Sequence, residues 1–131
     1  MNAETEKKLN EVFASYPEIK LVYFFGSHAI GQEGPMSDYD LAFYSDEKDR
    51  KTFFDLKLEL INEISRILHT DDLDVIALNS ATSPELKYNI IKDGRLIYEK
   101  EPFRILIEPR ILSEYFDFRD LLLRHNLTRA I

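Results

Sequence analysis

Three aspartates and a glycine-serine pair carry the types and spacing that suit phosphoryl chemistry. Within Phe24–Tyr44, FFGSHAIGQEGPMSDYDLAFY, an apolar run ends at Gly26 and Ser27, and Asp38 and Asp40 stand one residue apart at the head of another apolar run. In a strand, residues at i and i+2 point to one face, so Asp38 and Asp40 present their carboxylates together. A glycine-serine turn after a strand offers backbone N–H groups and a hydroxyl to a phosphate. A third acid-bearing run, Asp71-Asp72-Leu73-Asp74-Val75-Ile76-Ala77-Leu78, puts Asp72 and Asp74 on one face. Carboxylate oxygens are the ligands magnesium takes, commonly one or two from protein with the rest from substrate phosphates. The pattern therefore points to a divalent metal holding a nucleoside triphosphate. Asp-Tyr-Asp alone is a weak signal, because a solvated strand edge carries such acids too; the conjunction with Gly26-Ser27 and the later strand gives it weight.

The elements that position these groups follow from apolar periodicity. Leu9, Val12, Phe13 and Tyr16 predict a helix over about 3–16, closed by Pro17. Ile19–Phe25 is apolar except for Lys20, the pattern of a central strand covered on both faces. In Asp38–Tyr44, Tyr39, Leu41 and Phe43 share one face for a helical layer, and Asp38, Asp40 and Ala42 share the other, toward a cleft. A polar link over 46–51 leads to a helix of about 50–69 carrying Phe53, Leu56, Leu60, Ile64 and Ile67. After the third strand, Ser83-Pro84-Glu85 starts a helix with a capping hydroxyl, a first-turn proline and an early acid. That helix carries Leu86, Ile90 and Ile91 and stops at Asp93-Gly94, where a left-handed cap is expected. Arg95–Glu99 is a short final strand.

From Pro102 the tail is expected to be helical and broken or kinked near Pro109. Ile111, Tyr115, Phe118 and Leu122 form a stripe that Leu112, Phe116, Leu121 and Leu123 widen. Two expectations stand for so wide a stripe: it packs back on the chain's own sheet, or it meets a partner chain, as a homo- or hetero-oligomer through the C-terminal helix. The element order α-β-β-α-β-α-β-α gives an α/β protein with a small sheet and a C-terminal helical tail.

The 131 residues suit one domain, 1–131, with a core over about 5–100 and the tail over about 102–131. Hydrophobic residues make up 44%, as in a globular protein. The formal net charge of −7 argues against a broad nucleic-acid-binding surface, so no direct nucleic-acid binding is expected. The absence of cysteine excludes disulfides and thiolate metal sites. MNAETEKK lacks the apolar core of a signal peptide and no run nears about 20 apolar residues, so a cytoplasmic protein without a membrane span is expected.

GSHAIGQEGPMSDYDL, Gly-Ser followed after ten residues by Asp-x-Asp, resembles the signature of the minimal nucleotidyltransferases of the polymerase-β-like superfamily. Length, acidic charge and the YFDF of the tail (Tyr115–Phe118) are similar to the MntA-like antitoxins of HEPN/MNT toxin–antitoxin systems. The resemblance implies the polymerase-β-like fold, a small mixed sheet with helices packed on it. It implies that Asp38, Asp40 and Asp74 bind magnesium, two ions in all, and that Asp74 serves as base, with Asp72 as its rival on the same face. Gly26 and Ser27 would hold the triphosphate and Ser37 would support the loop. The implied activity is transfer of AMP from ATP to a tyrosine hydroxyl of a cognate HEPN ribonuclease toxin, which silences it. The alternatives are a non-catalytic antitoxin that neutralises by binding, and nucleotidyl transfer to a small-molecule hydroxyl, for which the chain leaves little room.

Two positions depart from the family pattern. His28 stands where many relatives carry Arg, and Ile30 where many carry a basic residue. His28 contacts phosphate or faces solvent; His69, at a helix end, suits the helix dipole better than a ligand role. Arg119 and His125 resemble the Arg-x(4–6)-His ribonuclease motif, but the rest of the chain is not a HEPN bundle, and a solvated helix end is the expectation. Arg95, Lys87 and Lys92 are cations within reach of a phosphate that no spacing singles out.

Overall fold

A computed structural model describes residues 2–25, 39–80 and 83–125. Four strands form one sheet: β1 (Ile19–Phe25), β2 (Tyr39–Ser45), β3 (Leu73–Ala77) and β4 (Arg95–Glu99), in the spatial order β3-β2-β1-β4. β1 runs antiparallel to both β2 and β4, whereas β2 and β3 are parallel, so the sheet is mixed. The helices are α1 (Ala3–Ala14), α2 (Arg50–Leu68), α3 (Pro84–Asp93) and α4 (Phe103–Arg124). The α/β element order predicted from periodicity is the observed one.

Three of the four helices, α1, α2 and α3, start where a side chain supplies a cap. Asn2 accepts the Thr5 N–H at 2.8 Å for α1, Asp49 accepts the Thr52 N–H at 2.9 Å for α2, and Ser83 accepts the Leu86 N–H at 3.1 Å for α3. The helices cover both faces of the sheet. Leu9 and Phe13 of α1 and Leu56, Leu60 and Ile64 of α2 pack against Val22, Phe24, Leu41, Phe43 and Val75 on one face. Ile90 of α3 and Ile107 and Ile111 of α4 pack against Leu21, Tyr23 and Ala42 on the other. β1 is thus covered on both sides, and Leu21, Val22, Tyr23 and Phe24 are all buried. Ile19 and Leu21, two residues apart, belong to opposite faces; the register shift recorded between them makes this possible.

One expectation for a helix end is corrected. Gly94 caps α3 in an extended conformation (φ −77°, ψ 164°), not a left-handed one. A Cβ placed there would lie 2.4 Å from the Ile90 carbonyl oxygen, so the glycine answers to close packing. The left-handed cap belongs to His69, at the end of α2, with φ 57° and ψ 37°. The tail is one unbroken helix with Pro109 inside it, anchored on both sides of the proline by buried Ile107, Ile111 and Tyr115. Tyr115 stacks on Tyr88 of α3 with ring centroids 3.9 Å apart and planes within 7°. Tyr23 of β1 donates its phenolic O–H to Glu108 of α4 at 2.6 Å. The inner half of the tail stripe therefore packs on its own domain, while Ile105, Leu106, Leu112, Phe116, Leu121 and Leu123 stay exposed.

Candidate active site

The parallel ladder between β2 and β3 pairs Asp40 directly with Asp74. Partners in register on adjacent strands lie roughly 5 Å apart at Cα and send their side chains to the same face. On the same parity as Asp40 is Ala42, and on that of Asp74 is Ile76; both belong to the α3/α4 side of the sheet. Tyr39, Leu41 and Phe43 face α2 instead, as the alternation of β2 predicts. The two carboxylates therefore share the α3/α4 face at the end of the sheet where β2 and β3 begin. Asp40 is half-buried and Asp74 exposed.

β1 ends at the same place. Its last residue, Phe25, pairs with Asp40 on the flank away from Asp74. Gly26, Ser27, His28, Ile30, Ser37 and Asp38 lie outside the described residues. Asp72, the rival of Asp74, precedes β3 by one residue, and its carbonyl oxygen accepts the Tyr39 N–H at 3.4 Å. Of the two acids, Asp74 is the one in register with Asp40.

Paired carboxylates on neighbouring strands supply hard oxygen donors at a spacing suited to a small divalent cation, so Asp40 and Asp74 fit the chemistry of magnesium. Among the described residues no group of three or more potential ligands forms a metal site. The pair taken alone gives two donors, the number that magnesium commonly accepts from protein when phosphates complete the shell.

The cations considered from sequence are engaged with other partners. Arg95 binds Glu6 of α1 at 2.9 and 3.1 Å and lies over the Phe24 ring, on the face away from the acids. Lys87 pairs with Glu114 at 2.9 Å, and Lys92 sits over the Tyr88 ring at 5.8 Å. His69 terminates α2 and is exposed. Arg119 and His125 lie exposed at the end of α4, as expected for a solvated helix end. The link missed from sequence is the Asp40–Asp74 register itself: the two acids are separated by a whole helix, and no local pattern states which residue of β3 meets which residue of β2.

Residues 7–103 match the family model described as polymerase beta, nucleotidyltransferase. Over 105 residues the chain is 26% identical to the protein adenylyltransferase MntA of Aphanizomenon flos-aquae, an alignment covering 75% of this chain and 69% of that protein. A solved structure of the tri-AMPylated HEPN toxin of Shewanella oneidensis in complex with MNT antitoxin contains a chain of the same fold. It matches with a TM-score of 0.69 and 21% identity over 98% of this chain and 100% of that one. A toxin–antitoxin crystal structure with AMP-PNP matches equally well, at a TM-score of 0.69 and 23% identity over 98% of this chain and 100% of that one.

Proposed function

The chain belongs to the polymerase beta nucleotidyltransferase family, and from that premise we propose that it is an antitoxin that transfers AMP from ATP to a tyrosine hydroxyl of a HEPN toxin. The observation that carries this is the register of Asp40 with Asp74, which joins two of the three acids of the motif on one face. MntA, similar over most of the chain, is a protein adenylyltransferase, and an AMPylated HEPN toxin accompanies an antitoxin of the same fold.

In this reaction Asp74 accepts the proton of the tyrosine hydroxyl. The phenolate oxygen bonds to the α-phosphorus, the bond from that phosphorus to the bridging oxygen breaks, and pyrophosphate leaves with the electron pair. Magnesium, which Asp38, Asp40 and Asp74 would hold, would supply charge neutralisation at the triphosphate and the departing pyrophosphate. Asp40, half-buried and in register with Phe25 on one side and Asp74 on the other, would fix the position of that charge. Gly26, Ser27 and Ser37 are assigned to the triphosphate on the sequence motif. Among the described residues no helix is long and apolar enough to cross a membrane.

Incubating the chain with its cognate HEPN toxin, ATP and magnesium, and weighing the toxin by mass spectrometry, tests the proposal. Mass gains in whole steps of AMP on a tyrosine are expected; an unmodified toxin that is active before incubation overturns it. A second reading, neutralisation by binding, is favoured by the exposed Ile105, Leu106 and Phe116 of α4, at 77%, 51% and 49% exposure. It requires Asp40→Asn with Asp74→Asn to protect cells as well as the native chain does. Lost protection with the complex still formed eliminates it.

A further inference from the structure

We propose that a basic cavity at the opposite end of the sheet from Asp40 and Asp74, between Lys48, Lys87 and Arg110, binds a phosphate monoester. The cavity has a volume of about 320 Å³ and opens where β2 and β3 end, beneath α4. Tyr44 lines it, and Tyr44 is four residues beyond Asp40, about 13 Å away along the strand. It is therefore separate from Asp40 and Asp74.

Its charge runs against that of the whole molecule. Three cations, Lys48, Lys87 and Arg110, face one carboxylate, Glu114, in a chain of formal net charge −7. Lys87 is largely enclosed, with 12% of its side chain exposed, and is held by Glu114 at 2.9 Å. Arg110 stands one turn before Glu114, the spacing for an ion pair along the helix, yet Glu114 turns to Lys87. Neither Lys48 nor Arg110 has an ion pair or side-chain hydrogen bond among the described residues. Two cations are thus left to converge on the space that Lys87 closes from behind. A second cavity of about 360 Å³ shares Lys48 and adds Arg50 and Lys57 against Glu47, extending the positive potential that draws anions to this end.

The walls set the ligand class. Asn79 is held in place, because its side chain accepts the Ser45 N–H at 3.0 Å and donates to the Ser45 carbonyl; it ties the ends of β2 and β3 into a fixed floor. Tyr44, Ile107 and Ile111 give an apolar wall for an organic group, while the cations give the forked and point-charge donors that phosphate oxygens accept. The volume lies at the low end for small-molecule sites, the size of a compact phosphorylated metabolite or a nucleoside monophosphate.

The test titrates the full chain, with a chelator present to remove magnesium, with inorganic phosphate, AMP and adenosine, followed by amide chemical shifts. AMP is expected to shift Tyr44, Asn79, Lys87 and Arg110 and to leave Asp40 and Asp74 unmoved. Phosphate should act at the same residues more weakly, and adenosine should not act there at all. Lys48→Gln with Arg110→Gln, both exposed and without structural partners, should weaken AMP binding by about tenfold or more. Glu114→Gln, which removes the competing carboxylate, should tighten it. Shifts confined to the surroundings of Asp40 and Asp74, or full affinity in the double variant, overturn the proposal. Because magnesium is absent and Asp40→Asn leaves the expected shifts intact, failure here is distinguishable from failure of the AMP-transfer reading.

Discussion

Asp40 and Asp74 are the residues on which the proposed chemistry turns, and their surroundings separate catalysis from folding. Both lie at the open end of the sheet, outside the two apolar clusters, so replacing either with asparagine removes charge without opening a cavity. Asp74→Asn is expected to lower AMP transfer by about 10²–10⁴-fold, the usual loss for a missing general base, with unchanged circular dichroism and toxin binding. Adding Asp40→Asn should cost little more than the worse single change, since the groups act as a unit; single-turnover rates of the three variants check this. Tyr23 makes the contrasting case. It is 2% exposed, and burial together with the bond to Glu108 pushes its phenol well above the ordinary value of 10.0. The fold thus favours the neutral phenol, a stabilisation fully present below pH 10 and lost as pH rises through the raised value. Tyr23→Phe should destabilise by roughly 1.5–3 kcal/mol in urea unfolding, uniformly across neutral pH, and leave transfer chemistry intact. The sequence displayed Tyr23 only as one apolar member of a buried strand; its partner Glu108 lies too far along the chain for any local pattern to announce it.

At the scale of elements, periodicity and capping chemistry locate the helices because each signal is local. Asn2, Asp49 and Ser83 all accept the N–H three residues on, as a cap does. The bonds from Thr52 hold the Asp49 carboxyl below its ordinary value of 3.8. Its contribution is therefore complete above that value and disappears as pH falls through the depressed one. The stability difference between the native chain and Asp49→Asn, measured by urea midpoints, should accordingly vanish on acidification. Helix ends were legible less well, because glycine serves two purposes that look alike in sequence. Gly94 suggested a left-handed cap, but the structure needs its missing side chain, with the Ile90 carbonyl oxygen 2.4 Å and Phe25 Cβ 3.3 Å from where a Cβ would be. A left-handed cap tolerates asparagine; a packing constraint does not. Both Gly94→Ala and Gly94→Asn should therefore cost roughly 1–3 kcal/mol by chemical denaturation. His69 took the left-handed role, which histidine adopts more readily than most side chains but which no neighbouring signal in the sequence assigned to it. Pro109 suggested a break or a kink in the tail; the helix runs on through it, with Ile107, Ile111 and Tyr115 buried on either side of the proline.

For the whole molecule, the family match and the folded unit do not end at the same place. The match stops at residue 103, where α4 starts, yet α4 closes one face of the sheet. Ile107, Ile111 and Tyr115 are buried at 5%, 6% and 7% exposure, and α4 covers Leu21 and Tyr23 of the central strand. Burying a large side chain contributes about 1.5–3 kcal/mol, so these three supply roughly 5–9 kcal/mol. That is comparable with the total stability of about 5–15 kcal/mol for a domain of ordinary size. A chain ending at Glu101 should therefore fail to fold cooperatively: it should bind a hydrophobic dye, lose its thermal transition and associate in sedimentation experiments. A chain ending at Arg119 keeps all three anchors and the Tyr115–Tyr88 stack, and it should melt cooperatively as a soluble protein. If the shorter chain folds instead, α4 is an appendage and its apolar inner face needs another explanation. If it fails as expected, α4 has two sides with different tasks, the inner one completing the core and the outer one, with Ile105, Leu106 and Phe116, left for a partner. Replacing those three by serine in the full chain then separates the tasks, weakening the complex with the toxin while the thermal midpoint stays near its native value.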